Sequence, residues 1–194
     1  MQILMLSGSR NRKGRTARAM EAIGKGVRKA GGKTESIFLT ELAIERCRQC
    51  NKEGYGICIS KHRCIIKDDF ASVVAKMKAA DVVVFASPVY FLDLSESMRA
   101  FLERARRIIP DSARYLPFNT VKGATSAVGV CLAGKNCGGA INCCMTLEKK
   151  IKECGFDVVD MIPLRRQNLE FKLPILELTG EWLATKPTSG EFIP

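Results

Sequence analysis

Residues 1–20, MQILMLSGSRNRKGRTARAM, run from an apolar stretch through a small, basic loop into a helical pattern. Residues 2–7 read as a strand. Ala17, Met20, Ile23, Val27 and Ala30 then recur at helical spacing, and Gly31-Gly32 stops the helix. A strand that hands over to a helix through glycine and hydroxyl residues opens an α/β unit. The rest of the chain repeats the alternation.

Residues 33–39 make a short second strand. Asp68-Asp69 can cap a helix whose apolar stripe is Phe70, Val73, Val74 and Met77. Asp81 leads into VVVFAS, a continuous apolar run suited to a strand buried on both faces. Leu94, Met98, Phe101, Leu102 and Ala105 mark the next helix, and residues 124–132 a fourth strand. Ala140, Cys144, Leu147, Ile151 and Cys154 mark a fourth helix, and residues 157–162 a fifth strand. The tail, 174–194, reads as a short helix, ILELTGEWLA, followed by an irregular end. Five strands with helical crossovers predict an α/β doubly wound parallel sheet in one domain, 1–194. Residues 40–66 form a cysteine-rich insertion after strand 2, and 174–194 a C-terminal extension. Ligands of such sheets bind beyond the carboxyl ends of the strands, at the switch point.

The chain is 46% hydrophobic and 26% charged, a globular composition, and no apolar run approaches the roughly 20 residues that span a bilayer. No basic segment precedes the first apolar run, so it reads as a mature strand and not a signal peptide. A cytoplasmic protein with reduced thiols is the expectation. The nine cysteines are odd in number and scattered, unlike a secreted disulfide scaffold. Cys131, Cys143, Cys144 and Cys154 fall in apolar-periodic segments, where a free thiol packs as a small hydrophobe. The net charge of +11 is dispersed, and no aromatic RNA-binding stretch accompanies it. A small phosphorylated ligand fits better than nucleic acid.

Three loops stand where such a ligand would bind. SGSRNRKGRT, residues 7–16, offers backbone N–H groups at a helix N-terminus, the hydroxyls of Ser9 and Thr16, and the charge of Arg10, Arg12, Lys13 and Arg15. It is neither an NTPase P-loop nor a dinucleotide fingerprint. In the second loop, Pro88 ends the third strand and Tyr90 and Phe91 supply planar rings. In LAGKNCGGA, residues 132–140, Gly134, Gly138 and Gly139 permit close approach to the backbone. Each loop alone also has a plain structural explanation; together they suggest a flavin mononucleotide.

Gly8-Ser9 with Gly14 and Thr16, the C-x2-C loop leading into CIIKDDF, and ASPVYF with the SESMRAFLER helix follow in order. With these motifs, residues 1 to about 165 resemble the NAD(P)H-dependent FMN reductases of the flavodoxin-like proteins, iron–sulfur flavoproteins included. The resemblance implies sheet order 2-1-3-4-5, FMN at the strand ends, NAD(P)H as co-substrate, and a quinone-like or other small electron acceptor. It also implies homodimers or homotetramers whose interface helps form the flavin site. Ser7, Ser9, Asn11 and Thr16 match the phosphate loop, with Arg10 or Arg12 as its basic residue. Pro88, Val89, Tyr90 and Phe91 match the loop along the isoalloxazine, and Gly134, Asn136 and Gly138 the third flavin loop. Arg10 and Asn11 stand where relatives often carry proline and arginine. No protein acid or base is required for hydride transfer, so no residue is named catalytic. His62, the single histidine, reads as a solvated loop residue.

CRQCNKEGYGICISKHRC, residues 47–64, spaces four cysteines as C-x2-C-x7-C-x5-C. Cys47, Cys50, Cys58 and Cys64 could hold a [4Fe-4S] cluster, with Gly54 and Gly56 letting the loop fold around it. They could also hold zinc, or be free or redox-active thiols. The resembling iron–sulfur flavoproteins have two x2 gaps before a longer one, and this chain departs in its middle gap. Two further functions therefore stay open. One is an iron–sulfur flavoprotein passing single electrons between a protein partner such as ferredoxin and FMN. The other is a non-enzymatic nucleotide- or nucleic-acid-binding module.

Overall fold

The computed structural model describes residues 1–54, 56–108, 125–134 and 138–185. Their elements are β1 (Gln2–Ser7), α1 (Arg15–Lys29), β2 (Lys33–Phe38), a short α2 (Ile57–Lys61), α3 (Phe70–Ala79), β3 (Val82–Pro88), α4 (Glu96–Ala105), β4 (Ser126–Ala133), α5 (Ala140–Glu153), β5 (Asp157–Arg165) and α6 (Leu169–Leu183). The strands form one sheet in the order β2-β1-β3-β4-β5, with every pair parallel. This is the order expected.

Residue alternation along each strand feeds two cores. Leu4, Leu6, Val83 and Phe85 face α3, α4 and α5. Ile3, Met5, Val82, Val84 and Ala86 face α1 and α6. Every residue of β3 and of β4 is buried, which explains their near-continuous apolar runs.

Several boundaries differ from the sequence reading. Pro88 does not end the pairing: it sits beside Leu132, and Val89 N donates to the Leu132 carbonyl at 2.9 Å. Gly8 N bonds the carbonyl of Ala86, so residue 88 turns toward β1, which has already ended at Ser7. The missing N–H of proline is not needed there. β5 runs through Pro163 to Arg165, three residues past the expected end, because an edge strand tolerates proline. β4 runs from Ser126 to Ala133, one residue past the expected end, and residue 124, its expected start, lies outside the described residues.

The largest correction is at the C-terminus. Helix α6 begins at Leu169, ahead of Pro174, and is not an appendage. Leu169 and Leu173 continue the stripe of Leu176, Gly180 and Leu183 against the sheet, and that burial keeps the first turns helical despite the proline. The helix crosses α1 at backbone contact. A Cβ built on Gly26 would lie 1.8 Å from the Glu177 carbonyl oxygen, and one on Gly180 2.0 Å from that of Ile23. Arg18–Glu170, Lys25–Glu177 and Lys29–Glu181 pair along the same seam. The expected irregular end, 186–194, lies outside the described residues. Among the described residues no helix is long and apolar enough to cross a membrane.

Candidate functional site

The carboxyl ends of β1, β3 and β4 are adjacent, and β1 is the strand at which the order reverses. The loop from Ser7 to α1 is curled by its own side chains. Ser9 N donates to Ser7 Oγ at 3.2 Å, Asn11 N to Ser9 Oγ at 3.2 Å, and Lys13 N to Asn11 Oδ1 at 2.9 Å. Ser7, Ser9 and Thr16 are buried, while Arg10, Asn11, Arg12 and Arg15 are exposed. Gly14 is the N-cap of α1; no side chain caps the helix and no acidic residue lies in its first turn. The first-turn N–H groups and the positive end of a 15-residue helix therefore face the loop, which suits an anion.

Arg12 is engaged elsewhere. Its guanidinium pairs with Glu41 and lies 4.9 Å from the centre of the Phe38 ring. The hydrogen bond and charge of Glu41 raise the Arg12 pKa further. Arg10, Lys13 and Arg15 are left as the basic side chains around the helix start.

The first and second loops lock together. Ser97 Oγ donates to the Gly8 carbonyl at 3.1 Å, and Ser95 N to Ser87 Oγ at 3.0 Å. A Cβ on Gly8 would lie 2.1 Å from Ser95 Oγ and 3.0 Å from Met98 Cβ, so only glycine fits there. Ser87 and Ser95 were not singled out in the sequence. Ser87 lies within β3 and Ser95 at the N-cap of α4, and no local pattern pairs the two.

After Val89, which is buried, the chain makes a tight reverse turn. Tyr90 N donates to the Asp93 carbonyl and Asp93 N to the Tyr90 carbonyl, both at 2.9 Å. Phe91 and Leu92, at the tip, have φ of +49° and +65°. Bulky side chains seldom adopt this left-handed conformation. Phe91 is fully exposed, and Tyr90 and Leu92 are about half exposed. Asp93 pairs with Arg99 and anchors the turn to α4.

The third loop meets the second through Leu92. A Cβ on Gly139, whose φ is +89°, would lie 2.8 Å from Leu92 Cδ2. This glycine thus admits a leucine, not a ligand. A Cβ on Gly134 or Gly138 would meet nothing, so open space lies beside both. Asn136 lies outside the described residues. Uncapped helix donors, open space beyond β4 and exposed rings between them fit a phosphate joined to a planar group, as in FMN.

The cysteine loop lies between β2 and α3. Cys47, Cys50, Cys58 and Cys64 all line one small pocket of about 20 Å³, together with Arg104 and Arg107. Among the described residues, no three His, Cys, Asp or Glu side chains are grouped to hold a metal ion. The four cysteines are thus brought to one pocket without converging on a single ion. Arg104 on α4 is 2% exposed. Its Nη1 donates to Asp68 Oδ2 at 2.6 Å and to the Glu45 carbonyl at 2.9 Å. Its Nη2 donates to Asp68 Oδ1 at 2.9 Å and to Cys64 Sγ at 3.4 Å, and the guanidinium lies over the Phe70 ring.

Burial opposes ionisation of Asp68. The hydrogen bonds from Arg104, Glu45 N and Phe70 N nevertheless hold its carboxyl below the usual range. Of the two aspartates read as helix caps, Asp69 takes the N-cap position of α3 and Asp68 Oδ1 accepts from Phe70 N at 3.3 Å, and both also clamp the cysteine loop, since Ala43 N donates to Asp69 Oδ2 at 2.8 Å and Glu45 N to Asp68 Oδ2 at 2.9 Å. Sequence reading missed Arg104 because its partner, Asp68, is 36 residues away.

Comparison with known proteins points the same way. An iron–sulfur flavoprotein from Methanocaldococcus jannaschii is 30% identical over 106 residues, covering 55% of this chain and 52% of that protein. One from Archaeoglobus fulgidus is 32% identical over 106 residues, covering 55% and 49%. The chain spans about half the length of the curated relatives it matches. Among solved structures, an NAD(P)H:quinone oxidoreductase from Methanothermobacter marburgensis superposes with a TM-score of 0.70 at 19% identity, over 99% of this chain and 98% of that one. An archaeal flavodoxin superposes with a TM-score of 0.60 at 16% identity, over 96% and 98%. At these identities the superpositions speak to the fold. Residues 1–141 match the model of the NADPH-dependent FMN reductase family, and the chain belongs to that family.

Proposed function

We propose that this protein binds FMN at the carboxyl ends of β1, β3 and β4 and passes electrons from NAD(P)H to a quinone-like or other small acceptor. The carrying observation is the uncapped N-terminus of α1, set at the switch point beside open space and exposed rings. FMN, when bound, supplies the hydride and electron chemistry. The chain supplies binding and orientation. The first-turn N–H groups of α1 and the hydroxyls of Ser9 and Thr16 hold the phosphate, and Arg10 and Arg15 add charge. Pro88–Phe91 border the ring system, and the gap beside Gly134 and Gly138 leaves room for it. The reading takes residues 1–194 as one flavin domain, working in the cytoplasm as a homodimer or homotetramer.

Reduction under anaerobic conditions tests it. Protein loaded with FMN should lose its visible flavin band on addition of NADH or NADPH and regain it on addition of a quinone. A flavin that neither nucleotide bleaches would refute the reductase reading.

The shared pocket of the four cysteines favours a second reading, an iron–sulfur flavoprotein exchanging single electrons with a partner such as ferredoxin. Names of the curated relatives support it. Cys47, Cys50, Cys58 and Cys64 would hold the cluster, and the buried guanidinium beside Cys64 would offset its negative charge and donate to sulfur. Protein purified without oxygen should then contain iron and inorganic sulfide, lost on Cys47→Ser with Cys50→Ser. Protein free of iron after anaerobic purification and reconstitution would leave the simple reductase.

A further inference from the structure

The carboxyl edge of the sheet carries more positive charge than one phosphate uses. Of the acids in the loops around the gap, Glu41 pairs with Arg12, Asp93 with Arg99 and Glu170 with Arg18. Glu96, exposed in the first turn of α4, is the acid left over among the described residues. Against it stand Arg10, Lys13 and Arg15 around the start of α1, and Arg165 and Arg166 at the end of β5. All five are exposed, and among the described residues no ion pair holds any of them. A flavin phosphate brings about two negative charges, which leaves about two positive ones unmatched.

The two basic groups are separate. β1 and β5 are three strand spacings apart in the sheet, about 14 Å, so Arg165 lies beyond reach of a phosphate held at the start of α1. Arg165 instead borders the far side of the gap. It is in register with Ala133, the last residue of β4, and open space lies beside the next residue, Gly134. Ile162 and Leu164 face the core under α1 and α6, so Arg165, one residue on, projects to the α5 side, where the third loop runs. Arg166 opens a single 3-10 turn, Arg166–Asn168. Asn168 Oδ1 accepts from Arg165 N at 2.8 Å and fixes the backbone that presents the two guanidiniums. Such forks match phosphate oxygens in bidentate geometry.

We propose that Arg165 and Arg166 form a second anion subsite, which takes the 2′-phosphate of the dinucleotide and so selects NADPH over NADH. The proposal rests on the flavin reading and adds to it the residues that read the reductant. With the nicotinamide in the gap beside Gly134, the phosphorylated end of the dinucleotide lies along the end of β5. The two dinucleotides deliver the same hydride and differ in this one phosphate, so the arginine pair acts on binding and not on the chemical step.

Anaerobic reduction of the FMN-loaded protein, with NADPH and NADH titrated separately, tests the proposal. Wild type should half-saturate at a concentration of NADPH about tenfold or more below that of NADH. The double variant Arg165→Gln with Arg166→Gln should lose most of that ratio. Arg165→Lys with Arg166→Lys should keep part of it, since the charge persists without the fork. Calorimetry gives a readout that needs no turnover. Adenosine 2′,5′-bisphosphate should bind wild type about tenfold tighter than adenosine 5′-monophosphate, and the double glutamine variant should lose the advantage. Equal half-saturation by the two dinucleotides in wild type overturns the proposal. So does a preference for NADPH, or for the bisphosphate, that the double glutamine variant keeps. If neither dinucleotide bleaches the flavin, the reductase reading fails, and the calorimetry still decides the subsite.

Discussion

Phe91 combines full exposure with a left-handed backbone, a conformation that costs about 1–3 kcal/mol in a non-glycine residue. It buries nothing in return within this chain. Phe91→Asn, which adopts that conformation readily, should therefore stabilise the flavin-free protein by about 1 kcal/mol in urea denaturation. The same variant should lose NAD(P)H-dependent turnover, since in the proposed site the ring borders the flavin. Arg104 is the opposite case, a buried charge with every reason to stay. Arg104→Met strands the Asp68 carboxylate and should cost about 3–5 kcal/mol. The sign of the pH dependence separates the two proteins. Asp68 is held below its ordinary 3.8, so the stability it contributes is present above that value and lost as pH falls through the lower folded value. In Arg104→Met the stranded carboxyl gains by protonation, so the gap in stability between variant and wild type should narrow in acid. Thiol reactivity follows burial: under native conditions Cys50, which is exposed, should be alkylated well before Cys131, Cys143, Cys144 and Cys154. Cys131 is further protected because hydrogen bonds with Cys143 and Cys144, and burial, push its pKa up.

Among the elements, the α1–α6 pair depends most on single residues. Gly26 and Gly180 let two backbones touch, and nothing flexible can move aside from the Glu177 carbonyl. Gly26→Ala should push the helices apart and cost about 1–3 kcal/mol or more, despite the better helix propensity of alanine. Thermal denaturation would check the direction. The five strands and the stripes of α1, α3, α4 and α5 were legible in the sequence because burial on a regular element leaves a period. Elements interrupted by proline were not. Pro163 and Pro174 look like terminators locally, and only the edge position of β5 and the inner stripe of α6 make them tolerable. The candidate site divides in the same way. Ser7–Thr16 and Pro88–Phe91 were legible because a strand–loop–helix junction has a fixed geometry. The Ser87–Ser95 bond, the Arg12–Glu41 pair and the Arg104–Asp68 clamp join residues whose proximity only the fold creates.

At the scale of the whole molecule, the sheet order puts three loops at one edge, and the shape of that edge accounts for function. One end offers uncapped helix N–H groups, which suit an anion. The other is an open gap flanked by rings. The account predicts that both ends contribute, and the phosphate end can be tested without altering the protein. Titration of the flavin-free protein with FMN and with riboflavin, followed by flavin fluorescence, isolates the phosphate. FMN should bind at one site per chain, about tenfold or more tighter than riboflavin, and inorganic phosphate should weaken FMN but not riboflavin. Equal affinity for the two flavins, or no binding of FMN, would contradict the placement of the phosphate at the start of α1 and with it the flavin site itself.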